Sequence, residues 1–411
     1  MFTLKVLLAR LKGQLWFRPT LWSLVATAAA LLGTLANTYL PESGLPSIER
    51  ETLQNLLTII ASSMLTVTTF SLSILVGAFS SASNGATPRA TRLMMEDDSA
   101  QSAIASFIAA FIYAIIALLA LGIGYYGPAG RFVLLVGTVL MTGWVIVALL
   151  RWLQTLASLG RMADTIGRVE RVALRALEQH RQEPFLGAAC GPSTVHGWPI
   201  HGTKAGYVRS VDVGTVDEVM EKCGGICHVR VRPGSWVDPS VALAVLDTEC
   251  TDGASRQQLI DAFHIDDERS FAQDPRFGLL VLGEIAQRAL SPAVNDSGTA
   301  IAVLAALARL FVQTASLEPS QLRYTRLTVV PLTEQDLVED GFGGLERDGA
   351  GSLELNIRLQ KMLAAVANNG SNATKAAAEH VARRAYQRAM GTMTNEQDRL
   401  RLTECSLLGT H

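Results

Sequence analysis

The chain has 411 residues, of which 49% are apolar and only 18% charged, with a formal net charge of -2. That charged share falls below the quarter or so usual in soluble proteins. A near-neutral chain without a Lys/Arg run interleaved with aromatics argues against nucleic acid as a partner, since such binders carry a basic stripe.

Charge is sparse before Arg151 and common after it. Four apolar stretches, at about residues 21–40, 56–79, 103–123 and 132–153, each hold some 20 residues without an ionised side chain, Arg151 lying at the end of the fourth. Each has the roughly 20 residues needed to cross a hydrocarbon core of about 30 Å. One Arg or Asp at mid-span costs about 2.5–3.5 kcal/mol on the insertion scale. Residues 1–155 therefore read as a four-helix transmembrane domain. Lys5, Arg10, Lys12 and Arg18 precede an apolar run too long for a cleavable signal and lacking an A-x-A exit.

The Lys/Arg bias gives the orientation. The first loop has Arg50 beside Glu42, Glu49 and Glu51, whereas the second has Arg89 and Arg92. Arg151, Arg161, Arg168, Arg171 and Arg175 follow the fourth span. The N-terminus, the second loop and the C-terminal part are thus expected in the cytoplasm. Trp16, Phe17, Trp22, Tyr125, Tyr126 and Trp152 sit where interfacial aromatic belts sit.

Span two is rich in hydroxyls. Ser62, Thr66, Thr69 and Ser73, spaced by four, three and four, form one helical stripe. Gly77, Ser80 and Asn84 continue it. The stripe suits a polar line facing a water-filled path; it equally suits helix packing, with hydroxyls bonded to neighbours or to their own backbone. Span three has a small-residue face of its own: Ala103, Ser106, Ala110, Ala114 and Ala117. The absence of ionisable residues at depth argues against a proton-driven carrier and leaves room for a passive channel. The loop 80–101 reads as loosened by Ser81, Ser83, Asn84 and Gly85. Its Arg89 and Arg92 suit enforcement of topology, lipid phosphates or a vestibule lining.

Residues 156–204 read as a juxtamembrane helix and a Gly/Pro-rich connector, the helix continuing out of the membrane from 154 to about 182. Residues 205–250 read as a small β-rich module of the barrel or barrel-sandwich kind, with strands at 207–213, 226–231 and 241–246. Residues 251–411 are mostly helical, with one strand at 326–331. Asp274-Pro275 offers an N-cap and a proline at the first helical position. Asn295-Asp296-Ser297 offers a second N-cap, and Thr333-x-x-Asp336 resembles a capping box.

The five cysteines, all in this part, are not spaced as a disulfide framework, and cytoplasmic thiols are expected to be reduced. Cys223, Cys227 and His228 do not make a tetrahedral metal set. No metal or cofactor is expected. Arg269, Gln273, Asp274, Glu284, Arg288, Asn295 and Asp296 gather around two central helices. They fit helix caps and an i,i+4 salt bridge between Glu284 and Arg288, or a ligand or subunit-contact site at the helix ends.

Three stretches go further. The first runs from Phe70-Ser71-Leu72-Ser73 through Ser83 to Pro88-Arg89, with Phe107 and Phe111-Ile112-Tyr113. The second is Gly206-Tyr207-Val208 with Arg232-Pro233-Gly234 and Val237. The third is Gln273-Asp274-Pro275-Arg276-Phe277-Gly278, continuing through Ile285-Ala286-Gln287-Arg288-Ala289-Leu290-Ser291-Pro292-Ala293-Val294-Asn295-Asp296 to Thr299-Ala300. Together they resemble a bacterial family of predicted membrane proteins, the domain of unknown function twenty-two fifty-four. Glu284 stands where Asp would be expected. The resemblance implies a four-span inner-membrane protein with a cytoplasmic domain, and it implies no reaction.

The expected fold is thus an α-helical membrane protein with four transmembrane helices and a mixed, mostly α cytoplasmic domain containing a small β-rich module. Two functional readings stand. One is a homo-oligomeric ion channel or passive transporter lined by span two. The other is a membrane-anchored sensor or scaffold whose cytoplasmic domain binds a ligand or protein. An enzyme would need a nucleophile, base or metal that the sequence does not offer.

Overall fold

The computed structural model describes residues 17–32, 46, 48–85, 87–95, 98–158 and 161–406. It divides into two compact units, Met1–Asn84 with Thr91–Arg161 and Gly85–Ala90 with Met162–His411.

The first unit is helical: α1 (Phe17–Leu32), α2 (Arg50–Gly85), most of α3 (Pro88–Met95), α4 (Asp98–Gly122) and α5 (Pro128–Ser158). Pro88 and Pro128 open their helices, where a missing N–H costs nothing. Helix α4 is the hub. Its small face, Ala103, Ser106, Ala110, Ala114 and Ala117, is buried. That face lets α1 and α5 pack closely against it. A Cβ on Gly137 of α5 would lie 2.9 Å from the Tyr113 hydroxyl. Helix α2 contributes Leu53, Leu57, Ala61 and Leu75 to the core and leaves most of its surface open. At one end of the unit, Arg50 donates to the Gly122 carbonyl at 2.5 Å and Arg131 to that of Ile48 at 3.0 Å.

Among the described residues, four helical segments are long and apolar enough to cross a membrane: Arg50–Ala78, Gln101–Gly122, Pro128–Leu156 and Ser297–Thr314. The first three match expected spans. The expected first span begins on α1, but its residues 33–40 lie outside the described residues. The fourth segment belongs to the second unit, where Ala300, Leu304, Leu307 and Phe311 are buried against neighbouring helices. Its apolarity serves a core, as expected of a helix that is apolar all round.

Two expectations are corrected here. The loop 80–101 is largely helical, because Gly85 ends α2 and Pro88 starts α3. The helix expected over 154 to about 182 is described as two, α5 ending at Ser158 and α6 (Met162–Gln182) following. The sequence there contains Gly160, and glycine is poorly accepted in a helix interior; residues 159–160 lie outside the described residues.

After α6 the second unit continues with β1 (Ala189–Cys190), β2 (Trp198–His201), β3 (Gly206–Val211), α7 (Val213–Cys223), β4 (Cys227–Val229), β5 (Trp236–Val237), β6 (Ala242–Leu246), α8 (Gly253–Asp261) and β7 (Phe263–Asp266). Then come α9 (Pro275–Leu290), α10 (Ser297–Thr314), β8 (Leu327–Val329), α11 (Glu334–Asp348), α12 (Leu353–Asn369), α13 (Asn372–Thr392) and α14 (Glu396–Cys405). The strands form a mixed sheet in the order β1-β8-β4-β6-β2 and an antiparallel sheet β5-β3-β7. The β structure is therefore not confined to residues 205–250. It recruits β1 and β2 from the connector, and β8, which pairs in parallel with β1 and β4. Ile200, Val208, Met220, Val229, Leu243, Leu246 and Leu327 fill the core of this part. A helical layer of α6 and α9–α13 completes the unit. Helices α6 and α9 touch backbone to backbone, since a Cβ on Gly278 would collide with Ala173.

Candidate functional sites

On α2, Ser62, Thr66, Thr69 and Ser73 are all exposed on the outside of the chain. Each hydroxyl donates to the carbonyl four residues back: Ser62 to Thr58 at 2.9 Å, Thr66 to Ser62 at 2.9 Å, Thr69 to Leu65 at 2.9 Å and Ser73 to Thr69 at 3.0 Å. The proton is thus spent within the helix, and oxygen lone pairs remain outward. Leu56, Ile59, Leu65, Phe70, Leu72 and Val76 share the open surface of α2. Among the described residues nothing packs over the stripe, and it lines no path between them.

The sequence cluster around the central helices separates into distinct places. At the N-terminus of α9, Asp274 is fully buried. Its Oδ1 accepts from the backbone N–H groups of Arg276 and Phe277 at 3.1 and 3.2 Å, and its Oδ2 accepts from Arg269 Nε at 2.8 Å. Burial pushes this carboxyl up, against the pull of Arg269 and the two amides. Gln273 accepts from the Val211 N–H at 3.0 Å and so ties β3 to the entry of α9. Arg269 lies over the Phe277 ring at 5.2 Å.

Asn295 and Asp296 lie beyond the other end of α9, about 24 Å away for a 16-residue helix at 1.5 Å per residue. Asp296 caps α10: its carboxylate accepts from the Thr299 hydroxyl at 2.6 Å and from the Thr299 N–H at 2.9 Å, and these bonds hold it below the usual range. Asn295 occupies the left-handed region at φ 48°, which Asn tolerates better than most. The expected single cluster is therefore two helix caps, because the sequence spacing spans a whole helix.

Glu284, midway along α9, pairs with Arg89 from the segment Gly85–Ala90. Arg89 also lies 6.0 Å from the Phe277 ring. The first and third of the stretches singled out in the sequence thus meet in space, 195 residues apart. Arg288 is half-buried one turn further on. The side chains of Asn84 and Arg92 lie outside what the structure describes.

A site that sequence reasoning missed lies between α9, α11 and α13. It is a cavity of about 370 Å³ with Gly283, Glu284 and Gln287 on one wall and Gly343, Gly344 and Glu346 on another. Glu346 is 1% exposed. Arg384 donates to it at 2.5 Å and to Glu339 at 2.6 Å. Burial pushes the Glu346 carboxyl up, opposed by Arg384 and Arg388. The signal available was the Gly-x-Gly-Gly run at 341–344 next to acids, but nothing in the sequence marks Glu346 as buried.

In the first unit a second cavity, about 340 Å³, is lined mainly by apolar side chains including Trp22, Leu134 and Trp144. Its polar groups are matched. Trp144 donates to Ser106 at 3.2 Å, and the Tyr113 hydroxyl lies 3.4 Å from that of Thr138.

No group of His, Cys, Asp and Glu fit to hold a metal ion occurs among the described residues. The thiols differ from expectation: Cys223 is joined to Cys250, with Cα atoms 5.5 Å apart. The end of α7 and the loop after β6 converge there, across a separation that the sequence does not flag. Cys227 and His228 point to opposite faces of β4. The Cys227 thiol is buried, which pushes it up to about 12; His228 meets the Thr328 hydroxyl at 2.9 Å.

No solved structure matches the chain. It is similar to an uncharacterized protein of Mycobacterium bovis and to one of Mycobacterium tuberculosis strain H37Rv. Each is 26% identical over 324 residues, covering 73% of this chain and 60% of the relative. The chain thus matches about 60% of the length of these curated relatives. Long apolar helices and a family model matching residues 12–365 agree: this integral membrane protein belongs to the family described as Predicted membrane protein (DUF2254).

Proposed function

We propose that the chain assembles as a homo-oligomer in the bacterial inner membrane and forms a passive path for ions. Ser62, Thr66, Thr69 and Ser73 of each α2 line that path on the symmetry axis. The observation that carries this reading is their common exposure on the outside of the chain, with every hydroxyl back-bonded. Outward lone pairs give a line of acceptors, which suits cations. A cyclic assembly is the economical way to face one stripe with its copies. The family and the Lys/Arg bias support the inner membrane and a cytoplasmic second unit. The Arg89–Glu284 pair supports one side for the second loop and that unit, because two spans separate them. The role is conduction and not catalysis.

The test is ion flux through purified protein in liposomes, beside the double variant Thr66→Leu, Thr69→Leu. Flux abolished in a variant that still folds and assembles is the expected result. Absence of flux for every ion, voltage and tension tried would shift the reading to a membrane-anchored sensor, for which the cavity beside Glu346 speaks.

A further inference from the structure

The cavity between α9, α11 and α13 is used neither by the conduction path nor by the helix caps. At about 370 Å³ it lies in the size range of small-molecule sites. Glycine makes the room. A Cβ on Gly344 would collide with the Gln287 amide, and one on Gly343 would lie 2.6 Å from Glu339 Oε1.

Glu346 is at its floor and nearly inaccessible. Its Oε1 accepts from Arg384 Nε at 2.5 Å and meets Arg388 Nε at 3.3 Å. Its Oε2 is buried and has no hydrogen-bond partner among the described residues. Buried polar atoms are nearly always matched, and a bare carboxylate oxygen is costly. The cavity therefore has an acceptor that calls for an N–H.

The rim offers the opposite. The Arg388 side chain is 46% exposed and meets Glu346 through Nε, and a guanidinium with five donors has others to offer. The Arg347 side chain, 60% exposed, forms its ion pair among the described residues with its neighbour Asp348. A plain cation entering here meets three guanidinium groups, and a plain anion meets Glu284, Glu339, Glu346 and Asp340, the last paired with Arg276. A molecule carrying both charges suits both ends.

We propose that this cavity binds a small zwitterion of the amino-acid kind, its ammonium donating to Glu346 Oε2 and its carboxylate accepting from Arg388. The site belongs to the second unit and shares no residue with the path proposed on α2, so its failure leaves the conduction reading untouched.

The test is saturation-transfer NMR on the full chain in detergent, with a mixture of the twenty common amino acids at millimolar concentration, and with methylamine and acetate separately. Transfer to at least one amino acid is expected, and at least about tenfold weaker binding in Glu346→Gln and in Arg388→Leu, each checked by thermal melting. Arg388 is half exposed, so its variant decides the matter if Glu346→Gln does not fold. No transfer to any amino acid overturns the proposal, as does transfer that survives Arg388→Leu. Equal transfer to methylamine overturns the zwitterion in favour of a simple amine.

Discussion

Gly234 and Asp274 stand so close that a Cβ on the glycine would collide with the carboxylate and lie 2.7 Å from Arg269 Nη2. The Arg232-Pro233-Gly234 turn thereby closes over the buried cap of α9. Gly234 also has φ 92°, a region that costs other residues about 1–3 kcal/mol. Gly234→Ala meets both penalties, strain and overpacking, and is expected to cost about 3 kcal/mol or more. Thermal melting of the full chain measures it. An unchanged melting temperature would mean that the turn does not press on Asp274.

The Arg89–Glu284 pair calls for a different readout. The two side chains are 52% and 28% exposed, and such pairs contribute about 0–1 kcal/mol. Glu284→Gln should therefore barely move the melting temperature. It should instead raise amide exchange across residues 87–90, because Arg89 loses its ion pair and keeps, among the described residues, the Phe277 ring and a neutral amide acceptor. The reversed pair, Arg89→Glu with Glu284→Arg, should restore protection. Faster exchange that the reversed pair fails to repair would show that the contact does not hold this segment.

What the sequence made legible was local. Asp274-Pro275 announced the start of α9 because both cap and proline act within one turn. The Thr333–Asp336 box announced α11 likewise. Strands β1 and β5 escaped notice because two residues are too short to show alternation. Their pairing was equally hidden, since β8 joins β4 across about a hundred residues. Span two was legible as a stripe, but not the side it faces, which depends on how α4 packs. The Glu346 cavity was least legible. Its residues come from three helices whose charged faces read as solvated until the helices are laid together.

His180 carries the pH dependence. It is buried near the end of α6, with Arg232 Nη2 3.5 Å from its Nδ1 and with Arg181 and Glu334 facing it. Burial first, then the two guanidinium groups, lower it from 6.5 to about 4, against the pull of Glu334. The unfolded chain binds this proton below about pH 6.5, whereas the folded chain resists it until about pH 4. Stability is therefore present above pH 6.5 and is lost as pH falls between these values. The span corresponds to about 3 kcal/mol at most. The offset between the melting temperatures of wild type and His180→Gln should stay constant above about pH 6.5, and the wild type should fall relative to the variant as pH drops toward 4. A wild-type slope retained by the variant would assign the effect to other groups.

The cysteines give a last expectation, and it bears on the compartment. With Cys223 and Cys250 joined, three thiols remain, Cys190, Cys227 and Cys405. Cys190 is exposed and should alkylate first. Cys227 is buried with its thiol pushed up to about 12, by burial and then by Asp247, so it should react only when the protein unfolds. Alkylation under denaturing conditions without reductant should therefore add three groups, and five after reduction. A loop of 27 residues closed in this way contributes about 3–4 kcal/mol in the chain-entropy model, so reduction should also lower the melting temperature. Five groups added without reductant, in protein trapped directly from cells, would mean that the pair is held as thiols there. That is the ordinary state on the cytoplasmic side of a membrane. It would make the closeness of Cys223 and Cys250 a matter of packing between α7 and the loop after β6.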